Sequence, residues 1–119
     1  MKSGKVWGTT EPLLVTPLVQ VHRLSILPYS RCSLHVHRFK WNAFFVWSGK
    51  LIIEVHREDY DLVDITELSP GELATVRPGE YHRFASDTDP VEAIEVYYTE
   101  ALSEDIVRKD VGSREPPDA

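Results

Sequence analysis

Glycine and proline cut this chain into short pieces, and that punctuation constrains its fold more than any other feature. Turn-forming residues fall at Pro12, Pro17, Pro28, Ser48-Gly49-Lys50, Ser69-Pro70-Gly71, Pro78-Gly79 and Asp87-Thr88-Asp89-Pro90. The runs between them alternate with the period of two that a pleated strand imposes. Strands are expected over residues 13–16, 18–27, 31–39, 42–47, 51–57, 62–68, 72–76, 81–85 and 91–99. Ser103 followed by Glu104-Asp105 reads as a helix start with acids in its first turn, giving one or two helical turns over 103–109. Many short strands with no βαβ alternation make an all-β chain that closes into a sandwich or barrel.

Strand alternation assigns faces. Leu18, Gln20, His22, Leu24 and Ile26 share one, so His22 reads as a packed barrel histidine, while His56 at a strand end reads as surface. Asn42, Phe44 and Val46 lie opposite Ala43, Phe45 and Trp47, and both faces are apolar enough to need cover. A homodimer through Phe45 and Trp47 would cover the outer one; a second layer or the amino-terminal arm, residues 1–10, is the alternative. In the last strand Ile94, Val96 and Tyr98 are expected inside and Glu95 outside. Trp7 is expected to be a packing anchor.

A chain of 119 residues makes one domain, here 1–111, and the Pro116-Pro117 tail, 112–119, is expected to be disordered. With 42% apolar and 27% charged residues the remainder has the composition of a folded globular chain. A formal charge of −6 argues against nucleic acid as a partner, because such binders present a basic face. An anionic small molecule stays compatible with it, since a few cations inside a pocket outweigh a distant net charge. Cys32, the only cysteine, forms no intramolecular disulfide and reads as a small packed side chain. Without a leader-like or membrane-length apolar run, a cytoplasmic location with no membrane partner is expected.

The chemistry is carried by histidine. His35 and His37, one residue apart on a strand, point to the same face, and His82 opens another strand just after the Pro78-Gly79 turn. The three converge on one divalent ion; neutral imidazoles suit zinc, manganese, iron, nickel or copper, and spacing does not choose among them.

This arrangement resembles the two motifs of the cupins, G-x5-H-x-H-x3,4-E-x6-G and G-x5-P-x-G-x2-H-x3-N. The first is matched by His35, His37 and Gly49, the second by Gly71, Gly79 and His82. Asn42 stands at the position of the family's acidic ligand, Arg77 replaces the first proline with Pro78 beside it, and Ser86 replaces the final asparagine. The resemblance implies a double-stranded β-helix, a jelly-roll barrel with the ligands inside. His35, His37 and His82 would hold the ion, and Asn42, on the barrel-facing side by parity, would reach the ion or a water on it. The expected lining is apolar, with Phe39, Phe44 and Phe84.

Within the cupins, the chain resembles the C-terminal domain of type II mannose-6-phosphate isomerases. Lys5-Val6-Trp7-Gly8 is similar to that group's K-P-W-G opening, and Arg31-Cys32-Ser33-Leu34 to its lead into the histidines. Pro78 to Phe84 resembles its second motif, and Ile94-Glu95-Val96 and Glu104-Asp105-Ile106-Val107-Arg108 its closing segments. The resemblance implies an isomerase or epimerase of a sugar or sugar phosphate, working by proton transfer through an enediol. No base is identified, because Glu95 is expected to face out. Two alternatives stand beside it. Asn42 in place of an acid leaves a three-histidine site like that of cupin dioxygenases, and the lack of a nucleotidyltransferase domain fits a non-catalytic module that holds a small molecule.

Overall fold

The computed structural model of the chain describes residues 1–99 and 106–116. Nine strands carry the fold: β1 Ser3–Lys5, β2 Gly8–Val15, β3 Val19–Ile26, β4 Trp41–Ser48, β5 Leu51–Arg57, β6 Leu62–Leu68, β7 Leu73–Val76, β8 Tyr81–Ser86 and β9 Val91–Tyr98. One 3-10 turn, Glu58–Tyr60, joins β5 to β6. The strands form two antiparallel sheets, one ordered β1-β2-β3-β9-β4-β7 and the other β6-β5-β8. The result is the two-sheet barrel that the punctuation calls for, in the jelly-roll form that the resemblance implies. No helix among the described residues is long and apolar enough to cross a membrane.

The register of the large sheet grades its inner face from dry to polar. At one end Ile26 pairs with Val91 and Leu24 with Ala93, all 2% exposed or less. Further along, His22 pairs with Glu95 and Gln20 with Tyr97. Strand β4 runs beside β9 with the same gradient, setting Val46 opposite Ala93, Phe44 opposite Glu95 and Asn42 opposite Tyr97. Leu51, Ile53, Leu68 and Phe84 of the small sheet close over the dry end. Each of these buried side chains contributes about 1.5–3 kcal/mol by leaving water. One end of the barrel is therefore a core, which leaves the other free to be a cavity.

Trp7 is the packing anchor expected of it: its ring meets Phe84 edge-on at 4.9 Å, and its carbonyl accepts a hydrogen bond from Leu27 N at 2.8 Å. The chain can reach that position because Gly8, at φ 148°, passes so close to β3 that a Cβ would lie 1.9 Å from the Ser25 carbonyl oxygen. Residues 8–10, expected to belong to an arm, are thus paired in β2. Pro12 is tolerated there because the register shifts at Leu13 and β1 covers β2 only over Gly8–Thr10, so the missing N–H breaks no ladder.

Residues 31–39 differ from the regular strand expected. They lie along β8 as a strap held by two isolated bridges, Arg31 to Ala85 and His35 to His82, so that between the bridges three residues of the strap oppose two of the strand. The extra residue is a bulge, which bends the strap across the barrel mouth. The helix expected over 103–109 is also corrected: 103–105 lie outside the described residues, and 106–109 form no helix. Val107 is 96% exposed, so no apolar face is buried to offset the cost of nucleating so short a helix.

Candidate metal centre

The strap and β8 bring the three histidines together. His35 and His82 exchange both backbone hydrogen bonds, at 3.1 and 2.8 Å, and the Gly79 N–H at the preceding turn donates to the His37 carbonyl at 2.8 Å. Gly79 holds φ 85°, a conformation that favours glycine. Ring centroids lie 4.6 Å apart for His35 and His82, 4.9 Å for His35 and His37 and 5.5 Å for His37 and His82. Their candidate ligating atoms all fall within 4.8 Å of one another.

Backbone carbonyls set the tautomers. His35 Nδ1 donates to the Ser33 carbonyl at 2.8 Å and His82 Nδ1 to the Glu80 carbonyl at 2.9 Å, which leaves the Nε2 lone pair of each neutral ring free. His37 Nε2 is buried with no hydrogen-bond partner. Burial, then the neighbouring His35, His82 and Lys40, pushes the His37 pKa down to about 4, and burial also lowers that of His82. His37 and His82 are thus held neutral, as metal ligands must be.

Asn42 sharpens the point. Its side-chain NH2 donates to the Val96 carbonyl at 3.2 Å and to Glu95 Oε2 at 3.4 Å, so its Oδ1 faces His82 Nε2 at 3.1 Å. With the His82 proton on Nδ1, two lone pairs confront each other in a buried site. Such a pair is unfavourable until a proton or cation lies beside both atoms. Burial disfavours the proton, and two adjacent ligands of one ion bound at about 2.1 Å are themselves about 3 Å apart. The residues present therefore fit a divalent cation.

The sequence reading placed Glu95 on the wrong face. Glu95 is 6% exposed and lines the cavity, on the inner side of β9 with Val91, Ala93 and Tyr97. The small residues Val91 and Ala93 carry the inner apolar face, and Ile94 lines an outer groove with Leu13 and Trp47. Burial pushes the Glu95 pKa up to about 7 against the opposing hydrogen bonds from Tyr97 and Asn42. Tyr97 is raised as well, by burial and then by the Glu95 charge.

The cavity has a volume of about 740 Å³ and is lined by His35, His37, Glu95, Tyr97, His22 and Gln20 among others. It is more polar than expected. Phe84 lines it and Phe44 packs behind, but Phe39 sits at a bend of the strap and is 80% exposed. His22 packs edge-on to Tyr97 and pairs its Nε2 with Gln20 Oε1 at 3.2 Å, a satisfied barrel histidine as expected. Cys32 is packed too: its sulfur accepts from Phe84 N at 3.2 Å, and burial raises its thiol to about 11.

Known structures share this architecture. Over 87% of its length the chain superposes on the capsular polysaccharide assembling protein CapF from Staphylococcus aureus, with a TM-score of 0.74 and 21% identity, covering 31% of that protein. Oxalate decarboxylase from Bacillus subtilis, whose Mn(II) centres have been characterised, matches over 87% of this chain at 0.73 and 15% identity, covering 28% of its own length. KdgF from Halomonas sp. is of similar size, with 85% of this chain matching 89% of it at 0.71 and 13% identity. The fold is that of the cupins. No protein-family model matches the chain, and no curated protein matches it in sequence. The chain spans less than a third of the length of CapF and of oxalate decarboxylase, and 89% of KdgF.

Proposed function

We propose that this cupin binds one divalent ion through His35, His37 and His82, with Asn42 Oδ1 beside them, and isomerises or epimerises a sugar or sugar phosphate. The reading rests above all on Glu95, a buried carboxyl on the cavity wall that shares Asn42 with the histidine cluster. A bound divalent ion would polarise a carbonyl or hydroxyl oxygen of the substrate.

The chain's own residues supply the rest. A carboxyl whose pKa is raised to about 7 both accepts and returns a proton near neutrality. Glu95 takes the proton from the hydroxyl-bearing carbon next to the substrate carbonyl and delivers it to the carbonyl carbon on the same face, while the hydroxyl proton passes to the carbonyl oxygen, so that the enediol collapses to the isomer. Asn42 and Tyr97 hold the carboxyl in place, and Trp7 and Phe84 close the cavity floor against water.

Exchange of the substrate's α-proton with deuterated solvent, followed by NMR over a panel of aldose and ketose phosphates, tests this directly. Exchange that requires metal and is lost in Glu95→Gln, at unchanged metal content, is the expected result. Metal-loaded protein that exchanges no proton from any member of the panel would refute it. A second reading is favoured by Asn42, whose neutral amide leaves a three-histidine site without an acidic ligand; on that reading the metal-loaded protein consumes oxygen, which an isomerase does not.

A further inference from the structure

We propose that Lys40 and Gln20 form an anion seat at the cavity mouth, so that the cavity takes a small hydroxylated ligand carrying one carboxylate or phosphate group. The inference rests on the reading of the three-histidine cavity as a small-molecule site and names where the ligand's charged end goes.

Three placements carry it. Lys40 leaves the strap just before β4 and brings its ammonium to 5.4 Å from the Tyr97 ring centroid, within cation–π range. Gln20 is the cross-strand partner of Tyr97, which puts its side chain on the same patch of wall. Gln20 Oε1 is engaged by His22 at 3.2 Å, so the side-chain NH2 is the group left to donate into the cavity. An ammonium and an amide donor thus share one patch above a single aromatic ring, and a carboxylate or phosphate accepts from both.

The electrostatics agree in sign. Lys5 and Lys40 are the lysines of the lining and Glu95 is its carboxyl, in a chain whose formal charge is −6. After burial, the charge of Lys40 is what lowers the pKa of His22, so the ammonium's field falls inside the cavity. Among the described residues Lys40 has no carboxylate within ion-pair distance, whereas Lys50 is paired with Glu67 and Asp87.

The geometry also sets the ligand's length. Tyr97 is common to the two ends, its ring 5.2 Å from that of His37 and 5.4 Å from the Lys40 ammonium, which keeps the ammonium within about 11 Å of the His37 ring. A ligand whose oxygen lies against the histidines reaches Lys40 with the chain of a short sugar or hydroxy acid.

The test is calorimetric titration of the protein with three probes that share one carbon chain: glucitol, gluconate and glucitol 6-phosphate. At least one anionic probe should bind about tenfold more tightly than glucitol, the size of a charge-assisted hydrogen bond to a partly solvated lysine. The tighter of the two anions tells whether the seat serves a carboxylate or a phosphate. Lys40→Met should erase the preference, Lys40→Arg should keep most of it, and Lys50→Met should leave it intact. A preference that survives in Lys40→Met, or a wild-type protein that binds all three probes equally or none of them, overturns the proposal. Metal content is measured alongside: a protein that takes up no ion yet shows the Lys40-dependent preference refutes the metal reading and leaves the anion seat standing.

Discussion

Asn42 and His82 face each other across the barrel with an amide oxygen 3.1 Å from a ring nitrogen that carries no proton. Nothing in the surrounding hydrogen bonds allows either side chain to turn away, because the Asn42 NH2 is taken by Val96 and Glu95 and the His82 Nδ1 by Glu80. A neutral amide at this place contributes a weak dipole where a carboxylate would contribute a full charge. Asn42→Asp should therefore raise divalent affinity, by about tenfold or more if the oxygen lies beside the ion. Competition titration with a chromogenic chelator measures it. Unchanged affinity in the aspartate variant would remove Asn42 from the ligand set.

Alanine at His35, His37 or His82 should each lower metal content by about tenfold or more at limiting metal, since every ligand of a small site counts. The pH dependence is specific. Because the folded pKa of His37 is about 4 and that of His82 is lowered, protons compete with the ion for these two rings only below the range of a free imidazole. Wild-type protein should hold its metal as pH falls through 6.5 and release it nearer 4, followed by elemental analysis after dialysis. Release centred at 6.5 or above would contradict the burial of these rings.

Glu95 makes an opposite contribution to stability. Its folded pKa of about 7 exceeds the ordinary value of 4.5, so the folded state holds the proton more tightly than the unfolded one. That stabilisation is complete below pH 4.5 and is lost as pH rises to 7, on the order of 3 kcal/mol in chelator-treated protein. Glu95→Gln should lack this loss. Its melting temperature relative to wild type should climb from pH 4.5 to 7, read by calorimetry, and a constant difference would show that Glu95 titrates normally.

Trp47 is 73% exposed on the outer face of β4, where it lines a groove of about 330 Å³ with Leu13, Arg23 and Ile94. The amino-terminal strands do not cover it, so the homodimer expected from the sequence is the arrangement that would bury it. Light scattering should give twice 13.6 kDa at micromolar concentration, and Trp47→Glu should halve it. A wild-type monomer rejects the dimer.

How much of this was legible beforehand follows from range. Turn chemistry is local, so the punctuation at Gly49, Pro70-Gly71 and Pro78-Gly79 located β5 and β6 to the residue and β4, β7, β8 and β9 within one residue at either end. Parity is local too, which is why Asn42, Phe44 and Val46 turned out to share the buried face. The three histidines were found from spacing because a strand period and a Pro-Gly turn reach only a few residues.

The chain alone also determined that it would be all β and that His35 and His37 would share a face, while His82 joins them through a pairing 47 residues away. It did not determine which face of β9 looks inward, since Ile94 and Val96 made an equally good inner face until β3 and β4 bound β9 on either side. That choice put Glu95 and Tyr97 beside Asn42 and turned an apolar pocket into a polar one. It did not disclose the bulge in the strap either, because an extra residue is defined only against the strand it opposes. Local patterns specify where strands begin, end and alternate. The assignment of a carboxyl, an ammonium and a metal cluster to one cavity depends on pairings between residues far apart in the chain, and those belong to the tertiary structure.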